Sequence, residues 1–414
     1  MFKKIFTLIA LLTLTNFAPA NAEDYQLESV FVFSRHNLRA PTSSGYALIY
    51  KITPHKWFNW TSAKGELSMR GGELETIMGQ YFRKWLASEN LITENYLPKA
   101  GEVRFCANSY QRTIATTQFF SSGLFPAANV RVEHQLEVGK MEPVFGFSKF
   151  FSDDMKELAA AQLEERYAKI NVTANFRLLD KVLDFKNSAT AKEKGLKNLP
   201  VQDFGVDIDS AGNHNPRGIT PDIVAASDAL SLQYYEMDNL TEAALGNKLS
   251  SADWKKIVDI KNLHLKTLCG TPALAATTSH LILGVIRNEL ALNRKFTFLC
   301  GHDSNIEALT AALGVEDYSL PQTIETTTPI GVKFVIEKRR GDDGREYAAL
   351  KMIYASSEQI RNKTTLTLDN PPMIFPLRLK GLKANSDGFY YFEDVLQRFD
   401  DAFNAYYGQE NAAA

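Results

Sequence analysis

The sequence predicts an α/β fold: a layered α/β/α domain with a mostly parallel central sheet, interrupted by an all-helical insert. Three observations predict it. Short β-branched or aromatic runs at 30–33, 103–106 and 296–300 each lead within a few residues into a turn or helix, as buried strands do. Amphipathic helical repeats stand beside those runs, the alternation that packs helices on a sheet. From 145 to 265 the periodicity is helical, with no convincing strand.

The first 22 residues read as a removable segment. Lys3 and Lys4 precede an apolar run over 5–17, and Ala20-Asn21-Ala22 has the small-x-small form of a signal peptidase site. The run is shorter than the ~20 apolar residues of a membrane span. The mature chain is therefore expected to begin at Glu23, in a bacterial periplasm and free of the membrane.

The first strand runs straight into "SRHNLRAP". Before the second, Leu74, Ile77, Met78, Tyr81, Phe82, Trp85 and Leu86 repeat at the helical period. The second strand leads into "CANSYQRT", with Ser109 expected as a helix N-cap and Arg112 in the first helical turn. The insert, 145–265, carries "DDMKELAAAQLEERYAKI", "NFRLLDKVLDF" and "DIVAASDALSLQYYEM", joined by turns such as "SAGNHNPRGITP". The third strand leads into "CGHDSNIEAL". Two strand-like runs about Asp343-Gly344 form a hairpin signal, expected to extend the sheet antiparallel. The expected domains are thus 23–144 with 266–414, and the cap 145–265.

Composition excludes several function classes. The chain has 46 Lys and Arg against 48 Asp and Glu. Without Lys3 and Lys4 the balance is 44 against 48, a net charge of −4. With no basic run, the sequence offers no nucleic-acid footprint, and any anion must be held by a local cluster. The three cysteines, Cys106, Cys269 and Cys300, are too few for a disulfide framework and are expected as buried free thiols. The histidines show no metal-ligand spacing. Oligomeric state is not legible.

In open α/β sheets, ligands bind beyond the carboxyl ends of the strands. If the three strands are parallel neighbours, Arg35, His36, Arg39, Arg112, His302 and Asp303 meet on one edge. Cations flanking His36 raise the cost of charging its ring, whereas an anion between the guanidiniums would favour the arrangement. Phosphate fits: arginine forks bind it bidentately, and helix N-termini add N–H donors. One histidine could attack phosphorus, the other bind an oxygen, and Asp303 protonate a departing alcohol. Glu236, in "LSLQYYEM", is expected to line the outer pocket, where a carboxylate accepts hydrogen bonds from substrate hydroxyls and repels additional phosphates.

"RHNLRAP" resembles the RHGxRxP signature of the histidine acid phosphatases, and "GHDSN" resembles their distal His-Asp motif. Motif order and the helical insert agree over most of the mature chain. Asn37 departs from the signature's glycine; asparagine tolerates glycine-like backbone angles. With "SYQRT" and "LQYYE", the chain is most similar to the glucose-1-phosphatase branch. The resemblance implies that His36 is the nucleophile, forming a phosphohistidine. It implies that Arg35, Arg39, Arg112 and His302 hold the phosphate, and that Asp303 is the proton donor. It implies no metal or organic cofactor and a small phosphomonoester substrate, most simply glucose 1-phosphate. The rival expectations are a phytase or broad acid phosphatase, a phosphohistidine mutase or phosphotransferase, and a non-catalytic periplasmic phosphate-binding protein.

Overall fold

Strands form where the apolar runs place them. The computed structural model describes residues 25–292 and 294–408, so the signal segment expected over 1–22 lies outside the described residues. Among the described residues ten strands form: β1 (Gln26–Arg35), β2 (Val103–Ala107), β3 (Val132–Glu133), β4 (Val206–Ile208), β5 (His214–Pro216), β6 (Phe296–Gly301), β7 (Lys333–Arg340), β8 (Glu346–Tyr354), β9 (Met373–Pro376) and β10 (Tyr390–Tyr391). Eight of them make one sheet in the order β10-β8-β7-β1-β6-β2-β3, with β9 beside β8.

The three expected strands are adjacent and parallel, with β6 between β1 and β2, in register Phe31↔Thr297 and Phe105↔Phe298. The β7–β8 hairpin joins the other side of β1 antiparallel, Phe31 facing Ile336. The sheet as a whole is therefore mixed, and its central strands are parallel.

Alternation along β1 sends successive side chains to opposite layers. Val30 and Val32 join Phe105, Phe296 and Phe298 against Phe82 and Phe120, which belong to the helices Met69–Ser88 and Gln111–Leu124. Phe31 and Phe33 pack on the opposite face with Ile282, Ile306, Leu309 and Phe399, from the helices Pro272–Leu290, Asp303–Ala312 and Phe392–Asn404. Helices Met69–Ser88 and Gln111–Leu124 touch backbone to backbone. A Cβ on Gly79 would lie 2.2 Å from the Phe120 carbonyl oxygen, and one on Gly123 would lie 2.3 Å from that of Thr76.

The insert is helical with one exception. β4 and β5 pair antiparallel around a turn in which Asp209 accepts from the backbone N–H groups of Ala211 and Asn213. Strands of three residues are too short to display a period, which is why this stretch reads as turn alone. The insert's apolar cluster also reaches outside 145–265, taking in Leu38, Tyr46, Ile49, Ile52 and Trp57. Among the described residues, no single helix is long and apolar enough to cross a membrane.

Candidate active site

Parallel pairing of β1 and β6 brings "RHNLR" and "HD" together. Arg35 stands opposite Gly301, and the His36 N–H donates to the Gly301 carbonyl at 3.0 Å. From β2, the Asn108 N–H donates to the Cys300 carbonyl at 3.0 Å, which places the start of helix Gln111–Leu124 beside both. The His36 and His302 rings meet edge to face, with centroids 5.5 Å apart.

The His36 ring is buried, and its Nδ1 lies 2.8 Å from the Asn37 carbonyl oxygen. A carbonyl can only accept, so in the neutral ring Nδ1 holds the proton and Nε2 the lone pair. Burial, then the charges of Arg112, Arg39, His302 and Arg35, hold this imidazole well below its ordinary pKa. His302 is likewise pulled down to about 3, by burial and then by Arg112. Its Nε2 lies 2.7 Å from Asn108 Nδ2. The Asn108 amide is oriented by Glu142, whose N–H donates to Oδ1 at 3.0 Å, so Asn108 donates and the neutral His302 ring carries its proton on Nδ1.

Arg35 is almost wholly buried. Its Nη1 meets Glu325 at 2.8 Å and donates to the Thr328 carbonyl at 2.5 Å, and its Nη2 meets Asp303 at 3.1 Å. Arg39 pairs with Asp228 at 3.1 Å. Arg112 forms no ion pair among the described residues. Its guanidinium lies over the Tyr110 ring, 4.4 Å from the centroid, and burial followed by repulsion from Arg39 brings its pKa down to about 10. The Nε–H groups of Arg35, Arg39 and Arg112 are all buried without a partner among the described residues. Orphaned buried donors are rare, and three at one place are what an oxyanion requires.

Asp303 opens helix Asp303–Ala312, and its Oδ1 accepts from the Ser304 N–H at 3.0 Å. Burial works to raise its pKa, but Arg35, Lys261 and Arg39 outweigh that and hold the carboxyl well below the usual range.

Four members of the cluster escaped sequence reasoning. Lys261 reaches Asp228 and Glu325, both at 3.0 Å, and Asp303 at 3.8 Å. Asp228 is held down to about 2 against its burial by Arg39 and Lys261. Glu325 sits at φ +53°, in the left-handed region that costs a non-glycine residue energy and that clusters at functional sites. Asn108 completes the set.

Three expectations need correction. Ser109 is not the N-cap; Tyr110 holds that position, and the Ser109 hydroxyl donates to Glu142. Asn37 does not occupy glycine-like backbone angles; its side chain instead donates to Glu75. Glu236 is not part of the ion-paired cluster of Asp228, Lys261 and Asp303 among the described residues. Its carboxylate accepts from the Ser68 hydroxyl at 2.8 Å. Standing eight residues after Asp228 on one helix puts Glu236 ~12 Å further along and ~80° around the axis. The three cysteines are free thiols, Cys269 and Cys300 buried and Cys106 half-buried.

The profile of the histidine phosphatase superfamily (branch 2) matches residues 26–193. The chain is 34% identical to a glucose-1-phosphatase of Providencia rettgeri, over 90% of this chain and 91% of that protein. It is 33% identical to a glucose-1-phosphatase of Salmonella typhimurium, over 94% of each. Among solved structures it is similar to the phytase of Citrobacter braakii, with a TM-score of 0.79 and 27% identity over 92% of this chain and 98% of that one. With two relatives above 30% identity along nearly their whole length, the chain belongs to the histidine phosphatase superfamily, branch 2, and is a histidine acid phosphatase, a phosphomonoester hydrolase.

Proposed function

We propose that the enzyme hydrolyses sugar phosphates, glucose 1-phosphate foremost, in the bacterial periplasm through a phosphohistidine on His36. The observation that carries the mechanism is the His36 ring, buried, neutral and protonated on Nδ1, among three arginines with unpartnered N–H groups. Nε2 attacks phosphorus and the ester P–O bond breaks, the equatorial oxygens being held by Arg35, Arg39, Arg112 and His302. Asp303 gives its proton to the departing alcohol oxygen. Water then attacks the phosphohistidine with Asp303 as base, and the P–N bond electrons return to Nε2.

Asp303 is ionised in the free site, so its proton has to arrive with the substrate. A phosphate monoester loses its second proton near pH 6. The monoanion can pass that proton to Asp303 as the resulting dianion settles among the guanidiniums. Activity is therefore expected to be greatest below about pH 6.

Two findings support a substrate with one phosphate and a neutral alcohol. The first is the identity to two glucose-1-phosphatases. The second is the cleft of about 350 Å³ that adjoins the site through Arg39 and Asp303. Its charged lining residues among those described are Arg39, Asp228, Lys261 and Asp303, all in the ion-paired cluster. Pro41, Leu48, Pro216, Pro221, Val224 and Ala225 line it too, with Thr42, Ser44 and Thr220. A polyphosphate would bring further charges to a wall without further cations.

The decisive test is to quench the enzyme during turnover of ³²P-labelled glucose 1-phosphate. A phosphoramidate, stable in base and lost in acid, is expected on His36 and absent in His36→Ala; labelled or fully active His36→Ala would overturn the mechanism. In a substrate panel, kcat/KM should favour glucose 1-phosphate over inositol hexakisphosphate, and the reverse order makes the enzyme a phytase. Periplasmic residence rests on Lys3, Lys4, the apolar run and Ala20-Asn21-Ala22. The mature protein recovered from that compartment should begin at Glu23.

A further inference from the structure

We infer that Asn37 is a positioning residue for the nucleophile, acting through the plane of the peptide that joins it to Leu38; this rests on His36 being the nucleophile. That peptide is clamped at both ends. Its carbonyl accepts the Nδ1 proton of His36 at 2.8 Å, and its N–H donates to Asn37's own Oδ1 at 2.7 Å. A peptide unit is planar, so fixing the direction of the N–H fixes the direction of the opposed carbonyl.

The side chain that holds the N–H is itself anchored. Asn37 Nδ2 donates to Glu75 Oε1 at 2.8 Å. Glu75 cannot follow a moving loop, because Lys333 Nζ donates to both its oxygens, at 2.8 and 3.0 Å, and to the Gly331 carbonyl at 2.7 Å. Both side chains of this pair are fully buried. Gly331, at φ +67°, closes the remaining side, since a Cβ there would lie 2.5 Å from Asn37 Nδ2. The Asn37 N–H donates to Thr116 Oγ1 at 3.1 Å. Every polar group of Asn37 is thereby engaged.

A buried Glu–Lys pair is in general no more stabilising than apolar residues of similar volume. Here the pair stands where it can orient an amide one bond away from the nucleophile's proton. An imidazole protonated on Nε2 has no lone pair to offer phosphorus. Glycine, which the signature carries at this position, has no side chain with which to hold the peptide plane.

The test reads the tautomer directly, by NMR of the whole enzyme carrying ¹⁵N-labelled histidine. Wild-type His36 is expected as the Nδ1–H form. Asn37→Gly is expected to give a signal averaged between the two tautomers, with kcat on glucose 1-phosphate lowered about tenfold or more and KM within about twofold. Glu75→Met with Lys333→Met keeps Asn37, removes its anchor and leaves no unpaired charge; it should move the signal in the same direction. A wild-type tautomer signal and kcat in either variant would overturn the inference, as would an Nε2–H wild type. If Asn37→Gly does not fold, the double variant decides alone. A merely structural role would lower the melting temperature in both and leave the tautomer unmoved. Failure of the underlying mechanism shows separately, as phosphoenzyme formed by His36→Ala.

Discussion

Asp303 is the residue on which two demands collide. In the proposed mechanism it has to be protonated when the ester bond breaks, yet Arg35 at 3.1 Å and Lys261 at 3.8 Å keep it ionised in the free site. Phosphate binding resolves the conflict, because a dianion among the same cations competes for them and returns the carboxyl toward its ordinary affinity for protons. Asp303→Asn removes the acid while keeping the shape. The loss should be about 10²–10⁴-fold for an alkyl phosphate such as glucose 1-phosphate, as for other general acids. It should be markedly smaller for p-nitrophenyl phosphate, whose leaving group needs little protonation. Equal losses for both would return Asp303 to a structural position at the helix start. Glu325 makes the complementary point. Its pairs with Arg35 and Lys261 leave those cations fixed before substrate arrives, so little reorganisation remains for the reaction itself.

At the scale of elements, the contact between helices Met69–Ser88 and Gln111–Leu124 controls where two of the loops end. Asn37 is tied to Glu75 on the first helix and to Thr116 on the second. The helices approach through Gly79 and Gly123, and a methyl group on either would overlap a backbone oxygen of the other helix. Gly79→Ala should therefore push the helices apart, with a loss of about 1–3 kcal/mol in urea unfolding and a fall in kcat from the displaced loop. An unchanged midpoint would mean the helices slide without strain. The elements that a reader of the sequence could find are those with long patterns. β1, β2 and β6 show as continuous apolar runs because both faces of a central strand are covered. β3 and β10, two residues each, carry no pattern at all. In the site, Arg35, His36 and Arg39 share one loop and His302 and Asp303 another, so each group is visible as a motif. Asp228 and Lys261 reach the cluster from separate helices of the insert, and their sole trace is charge where apolar residues prevail. Asp228 is the one charged residue between Asp222 and Glu236, and Lys261 follows Ile257, Val258 and Ile260. Glu236 misled because helix membership is legible in a sequence, whereas the direction a side chain takes is decided by a partner such as Ser68.

For the whole molecule, keeping its histidines neutral has a consequence for stability in acid. His36 is held well below its ordinary pKa, His302 near 3 and His264 near 4, with burial the first cause in each case. An unfolded chain protonates these rings near pH 6.5. Their contribution is intact above that pH. Below it the unfolded state binds protons that the folded state refuses, so stability falls by up to about 1.4 kcal/mol per pH unit for each histidine. The decline should continue until the folded pKa values are reached. Melting temperature is thus expected to drop steadily from pH 6.5 to pH 4.5 in the ligand-free enzyme, within the range where activity is expected to be greatest. Inorganic phosphate at about 100 times its Kd should restore roughly 2.7 kcal/mol. Calorimetry with and without phosphate checks this; a melting temperature flat across that range would show that the rings titrate normally.

The position of β1 also sets a schedule. It is the first strand among the described residues, yet it lies in the interior of the sheet, and both its neighbours, β6 and β7, come from the last third of the chain. On the ribosome Phe31 must wait for Thr297 and Ile336, so the central pairing is among the most distant contacts in the protein and among the slowest to close. The helix pair crossing at Gly79 and Gly123 can form long before, since its partners are near in sequence. His36 therefore stays without its arginine-lined surroundings until synthesis is nearly finished. A chain interrupted before β7 is left with an open strand edge, prone to associate with others. If the chain is exported as proposed, this delay is an advantage: what leaves the proposed nucleophile without its partners also keeps the chain slack enough to travel.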